Sequence, residues 1–151
     1  MKKNGLMYLA GGTAGALVGV LILWIVLPAG AVPTSHVHTF ETVSIEELQS
    51  MLDRGAVTVI DVRNVEPYMA SHIPGALQIP VTMIEGEIPY LPKDKPIVTY
   101  CSCPAEETSG HAAMVLANGG VTRVAALKGG FDEWVAKGLP TRSGRESTFH
   151  P

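Results

Sequence analysis

Cys101 and Cys103 are the two cysteines of the 151-residue chain, set in the segment Tyr100-Cys101-Ser102-Cys103-Pro104-Ala105-Glu106-Glu107. Two thiols cannot make a disulfide framework or a four-cysteine zinc site. Their remaining chemistry is that of a nucleophile. Pro96 to Tyr100 reads as a strand and Ala105 to Asn118 as a helix stopped by Gly119-Gly120. A cysteine between a strand end and a helix start meets unpaired backbone N–H groups and the positive end of the helix dipole. Both favour the thiolate, the form that attacks. The competing reading of Cys101 is a buried structural cysteine.

Asp61 and Arg63 sit at another strand end, after Val57-Thr58-Val59-Ile60. They read as a hydrogen-bonded pair near the loop, with an acid–base role as the alternative. His72 precedes Ile73-Pro74-Gly75 and reads as fixing that turn; His111, on the helix after the loop, reads as solvated. Cys101, Cys103 and His111 would make a metal site with no fourth ligand, so neither a metal nor a cofactor is expected.

The elements that must carry these residues follow from pattern. Ser44-Ile45-Glu46-Glu47 fits a capping box, with Ile45, Leu48, Met51 and Leu52 on one helical face and Gly55 as the stop. Ala76 to Ile79 and Val121 to Leu127 are further strands, and Gly130 to Lys137 a last helix carrying Phe131, Trp134 and Val135. Short strands alternating with helices predict an α/β domain, mainly a parallel sheet with helices on both faces. Such sheets bind ligands beyond the carboxyl ends of their strands, where Asp61 and Cys101 fall.

Apolar residues make up 46% of the chain against 17% charged, too apolar for a disordered chain. With a net charge of −3 and no basic block, nucleic acid is not an expected partner. The excess apolarity sits at one end. Residues 5–32 hold no charged side chain and include Leu21-Ile22-Leu23-Trp24-Ile25-Val26-Leu27. A hydrocarbon core of about 30 Å needs about 20 apolar residues in a helix. Lys2 and Lys3 precede the run and the next Lys or Arg is Arg54, which predicts a cytoplasmic N-terminus and an exported C-terminal part. A cleaved signal ending at Ala29-Gly30-Ala31 is the alternative. Gly11, Gly15 and Gly19 have the spacing that lets membrane helices pack closely, so a weak homodimer is one expectation and ordinary glycine usage the other. The organisation expected is an anchor or uncleaved signal at 1–32, a linker at 33–39, a domain at 40–141 and a polar tail at 142–151. His36 and His38 in the linker read as solvated.

From Ser44 to Pro140 the chain resembles a single rhodanese-like domain. The resemblance rests on Val59-Ile60-Asp61-Val62-Arg63, on His72-Ile73-Pro74-Gly75-Ala76 with Ile79-Pro80, and on Ile97-Val98-Thr99-Tyr100-Cys101. Leu127-Lys128-Gly129-Gly130-Phe131 with Trp134, and Gly138-Leu139-Pro140, complete it. It implies a sulfurtransferase in which Cys101 takes a sulfane sulfur as a persulfide and passes it to a thiol or another nucleophile. It also implies that the loop N–H groups from Ser102 onward stabilise the thiolate. Cys103 would then be a resolving thiol that attacks a Cys101 persulfide or sulfenic acid, or a spare loop cysteine; a disulfide across one intervening residue would be strained and readily reduced.

The loop departs from the family pattern. It contains no basic residue, where relatives often hold an arginine that helps bind thiosulfate, and Glu107 stands where a Cys-x₅-Arg phosphatase needs its arginine. Phosphatase chemistry is not expected. Glu106 and Glu107 are expected to repel thiosulfate and to raise the Cys101 pKa, unless Glu106 turns away to cap the helix. The reading is a membrane-anchored sulfurtransferase on the periplasmic or extracellular side. The alternative is a binding or thiol-redox module using Cys101 and Cys103.

Overall fold

The computed structural model describes residues 40–103 and 105–146. The uncharged run at 5–32 with its glycines, the linker histidines, Pro104 and the last five residues lie outside them. Among the described residues no helix is long and apolar enough to cross a membrane.

β1 is Thr42–Val43, β2 Thr58–Asp61, β3 Leu77–Gln78, β4 Ile97–Tyr100 and β5 Val124–Leu127. β-Branched residues dominate the strands β1, β2 and β4 of the sheet. All neighbours run parallel, in the order β1-β5-β4-β2-β3, so β4 and β2 are central. Their register pairs Asp61 with Tyr100. The two chemically interesting strand ends are therefore side by side, which is what a parallel sheet delivers.

Helices α1 (Ile45–Asp53), α2 (Val65–Ala70), α3 (Ile84–Glu87), α4 (Glu107–Asn118) and α5 (Gly130–Ala136) join the strands. The capping box at α1 forms: Ser44 N–H donates to Glu47 Oε2 at 2.9 Å and Glu47 N–H donates to Ser44 Oγ at 3.2 Å. Side chains alternate across β2 and β4 and so divide the core. On one face Val59, Val98 and Tyr100 pack with Leu48 of α1, Tyr68 of α2 and Phe131 and Trp134 of α5. On the other, Ile60, Ile97 and Cys101 pack with Ile84 of α3 and Ala112 and Leu116 of α4. Helices on both faces and an all-parallel sheet agree with the expected architecture.

Several expected elements are shorter. β5 begins at Val124, not Val121; Val121 instead packs beneath α4. The helix expected from Ala105 begins at Glu107, because Glu106 has φ +51 and leaves the helical region. Helix α2 was not expected from the sequence: Pro67 falls in its first turn, where a missing N–H costs nothing. Residues 142–146, within the polar tail, lie against the turn after α2. Arg142 and His72 exchange backbone hydrogen bonds at 2.8 and 2.9 Å, and Gly75 N–H donates to Glu146 Oε1 at 3.2 Å.

Candidate active site at two strand ends

Cys101 directly follows β4 and is 1% exposed. Its backbone is clamped to the β5–α5 turn. Phe131 N–H donates to the Cys101 carbonyl at 2.8 Å, and a Cβ added at Gly130 (φ +55) would overlap that carbonyl oxygen. The Gly129-Gly130 pair thus permits a close approach that fixes the cysteine.

Around the Cys101 sulfur the partners are few. Cys103 N–H donates to Sγ at 3.3 Å, and the Ser109 hydroxyl lies at 3.5 Å. Ser109 is fully buried, and its Oγ also donates to the Glu106 carbonyl at 3.2 Å. With that proton committed, the hydroxyl accepts from the Cys101 thiol; rotation toward sulfur would let it serve a thiolate instead. Burial pushes the Cys101 pKa up, and the hydrogen bond shared with the Cys103 thiol pushes it further, against the lowering by Ser109 and the backbone amides. The expectation of a thiolate favoured by the helix end is corrected: desolvation outweighs the amides, and the resting Cys101 is biased to the thiol. The expected cause of a rise is corrected too, since burial and Cys103 raise it rather than Glu106 and Glu107.

Cys103 is half-buried and differs in sign. Its Sγ lies 3.2 Å from Thr108 Oγ1 in the first turn of α4. Burial works to raise its pKa, but hydrogen bonds from Cys101 and from the Thr108 hydroxyl and amide bring it below the ordinary thiol value. Of the two sulfurs, Cys103 is the better placed to hold negative charge.

Glu106 is tied across to the β5–α5 turn. Its Oε1 accepts from Gly129 N–H at 2.6 Å, while its own N–H donates to Cys103 O and its carbonyl accepts from Gly110 N–H. The carboxylate does not cap α4; it ties the cysteine loop to the turn before α5. Ser102, Ala105 and Glu107 are exposed along the same loop.

At the neighbouring strand end, Asp61 is fully buried and takes both Arg63 Nε and Nη2 on its carboxylate, at 2.6 to 3.1 Å. Arg63 also donates to Ser71 O at 2.8 Å and, through Nη1, to Ser102 Oγ at 3.4 Å. Its guanidinium lies 4.1 Å from the Phe131 ring centroid and 5.5 Å from that of Tyr100. Burial opposes its charge, yet the Asp61 carboxylate more than restores it and the pKa is raised. A loop without a basic residue is therefore served by one from the adjacent strand end. The linkage of residues 39 apart was invisible in the loop itself.

His72 is fully buried, with Nδ1 2.8 Å from Tyr68 O and its ring stacked on Tyr68. His111 is exposed on α4. Among the described residues no group of three His, Cys, Asp or Glu is arranged to hold a metal. Ser109 and Thr108 were missed by sequence reading. Ser109 had a signal, since it shares the 109, 112, 113, 116 stripe with two buried alanines and a leucine, the one hydroxyl on an otherwise apolar face.

The family model of the rhodanese-like domain matches residues 44–137. An HTH-type transcriptional regulator of Mycobacterium tuberculosis is 34% identical over 104 residues, 69% of this chain but only 46% of the regulator. A sulfurtransferase of Allochromatium vinosum is 35% identical over 92 residues, covering 61% of this chain and 84% of that protein. The human single-domain sulfurtransferase TSTD1 superposes with a TM-score of 0.58 at 30% identity, over 66% of this chain and 98% of that one.

Proposed function

The chain belongs to the rhodanese-like family, and on that premise we propose that it is a sulfurtransferase carrying sulfane sulfur as a persulfide on Cys101. The observation that carries the reading is the Cys101 sulfur at the end of the central strand, with the Cys103 amide 3.3 Å and the Ser109 hydroxyl 3.5 Å away. The Cys101 thiol gives up its proton to solvent, and the thiolate attacks the outer sulfur of a donor, whose bond to the rest of the donor breaks as the donor's anion departs. The Cys103 amide and the Ser109 hydroxyl then stabilise whichever anionic sulfur remains. A nucleophilic acceptor, cyanide or a thiol, removes the outer sulfur and returns the Cys101 thiolate.

Arg63 supports this chemistry from the side by holding the loop at Ser102. Its charge is matched by Asp61, so it orients the loop more than it attracts an anion. We infer that residues 5–32 are a single-pass membrane anchor with the domain on the periplasmic or extracellular side; the support is the uncharged run with lysines before it. The expected partners are a small sulfur donor and a thiol acceptor.

Intact-protein mass tests the chemistry. One sulfur atom is gained on incubation with a sulfane donor and lost on addition of cyanide, and Cys101→Ser gains none. A Cys101→Ser protein that still loads and turns over sinks the assignment. Membrane attachment is tested by washing in high salt, which screens ionic contacts but leaves an apolar span in place; recovery of a soluble form starting near Val32 shows cleavage instead.

A further inference from the structure

The two cysteines divide along physical lines that a single nucleophile does not need. Cys101 is 1% exposed, whereas Cys103, two residues further on, is half-buried. The Cys103 amide donates to Cys101 Sγ at 3.3 Å, and Cys103 Sγ lies 3.2 Å from Thr108 Oγ1 on the first turn of α4. A folded protein bearing an acceptor thiol cannot bring its sulfur to a fully buried atom, but it can approach one that is partly open to solvent.

We propose that Cys103 is a second sulfur carrier, which takes the outer sulfur from the Cys101 persulfide and presents it to bulky thiol acceptors. The inference rests on the persulfide reading of Cys101. In the first step the Cys103 thiolate attacks the outer sulfur of Cys101–S–SH. A bond forms between Cys103 Sγ and that sulfur, the Cys101 S–S bond breaks, and its electron pair leaves as the Cys101 thiolate. In the second step an acceptor thiolate attacks the outer sulfur of Cys103–S–SH, forming an acceptor persulfide and restoring the Cys103 thiolate. Sulfur oxidation states are exchanged and none is created, so no outside oxidant or reductant enters.

Attack on the inner sulfur would instead release hydrosulfide and close a Cys101–Cys103 disulfide. That ring spans one intervening residue, and its strain disfavours this route. The Cys103 amide also donates to Cys101 Sγ, stabilising the thiolate that leaves when the outer sulfur is taken.

The experiment uses the full chain loaded with inorganic polysulfide and freed of donor by gel filtration. A reagent that caps persulfides then reports, by peptide mass, which cysteine holds sulfur as time passes. The expected result is label on Cys101 first and on Cys103 during discharge to a folded test protein with one exposed thiol. In Cys103→Ser, discharge to that protein should fall about tenfold or more relative to discharge of the same variant by cyanide. Label confined to Cys101 throughout, or an unchanged ratio between the two acceptors, overturns the relay and leaves the Cys101 reading standing. Loss of two hydrogens with hydrosulfide release also overturns it, in favour of the disulfide route. Absence of sulfur from Cys101 at every time overturns the reading beneath.

Discussion

β2 and β4 end side by side, yet their ends are built on opposite plans. At the end of β2, charge is closed locally: Arg63 folds back on Asp61, two residues away, with the carboxylate fully buried and the guanidinium largely so. At the end of β4, the reacting groups are closed from a distance. The Cys101 carbonyl is held by Phe131 and the loop by Glu106 on Gly129, a contact between residues 23 apart. The first end is a strut, whose charges are spent on each other. The second is a frame that fixes backbone and leaves sulfur with few partners. Stability should therefore reside in the strut and reactivity in the frame.

Removing half of the strut tests this most severely. Asp61→Ala leaves the Arg63 guanidinium buried without its partner and should cost about 3–5 kcal/mol in urea unfolding. Little dependence on salt is expected, because the pair is shielded from solvent. A loss below about 1 kcal/mol, the range of an exposed ion pair, would show that the strut is not what holds this end.

Next in size is the frame. Gly130→Ala must adopt φ +55 and displace the Cys101 carbonyl, at a cost of about 1–3 kcal/mol for backbone strain. If the comparison holds, persulfide loading falls further than stability does, because the displaced group is the cysteine itself. Matching losses of loading and folded population would assign Gly130 to stability alone.

How much of each end was legible follows the same division. Asp61-Val62-Arg63 announced its own pairing, since spacing of two at a strand end needs no other part of the chain. The strands at 58–61 and 97–100 and the Ser44–Glu47 capping box were legible for that reason. The left-handed Glu106, the Gly129 amide it binds and the reach of Arg63 to Ser102 depend on which turns the sheet brings together. No period or motif within the loop encodes them. β1 was missed for a different reason, as two residues are too few to display alternation.

The two sulfurs offer a gentler contrast within the frame. Cys103, with its pKa lowered and its side chain nearer solvent, should be alkylated before Cys101 at neutral pH. The Cys101 pKa is raised, so its alkylation should keep increasing with pH beyond the ordinary thiol value of about 8.5. The stability contributions have opposite signs. That of Cys101 is present below the unfolded thiol pKa and is lost as pH climbs through the raised folded value. That of Cys103 is present above the unfolded pKa and is lost as pH falls through the lowered folded value. Peptide mapping across a pH series reads the order, and simultaneous labelling would remove the distinction.

The smallest expected effect is also the most discriminating. A carboxylate about 4 Å from an incoming anion would repel it by about 4 kcal/mol at an effective dielectric near 20, roughly a thousandfold in kcat/KM. Glu106 would exert that force only if its charge were free to meet the anion. Its Oε1 is instead 2.6 Å from the Gly129 amide, at the start of α5. Glu106→Gln keeps an oxygen that can accept the same hydrogen bond and removes only the charge. Thiosulfate kcat/KM should consequently change by less than about threefold, with no steepening at low salt, and stability should drop by about 1 kcal/mol as a charge-assisted bond becomes a neutral one. A large gain for thiosulfate, greatest at low salt and absent for an uncharged donor, would place the carboxylate in the anion's path during turnover. It would also turn the frame at β4 from a passive support into a filter that selects donors by charge.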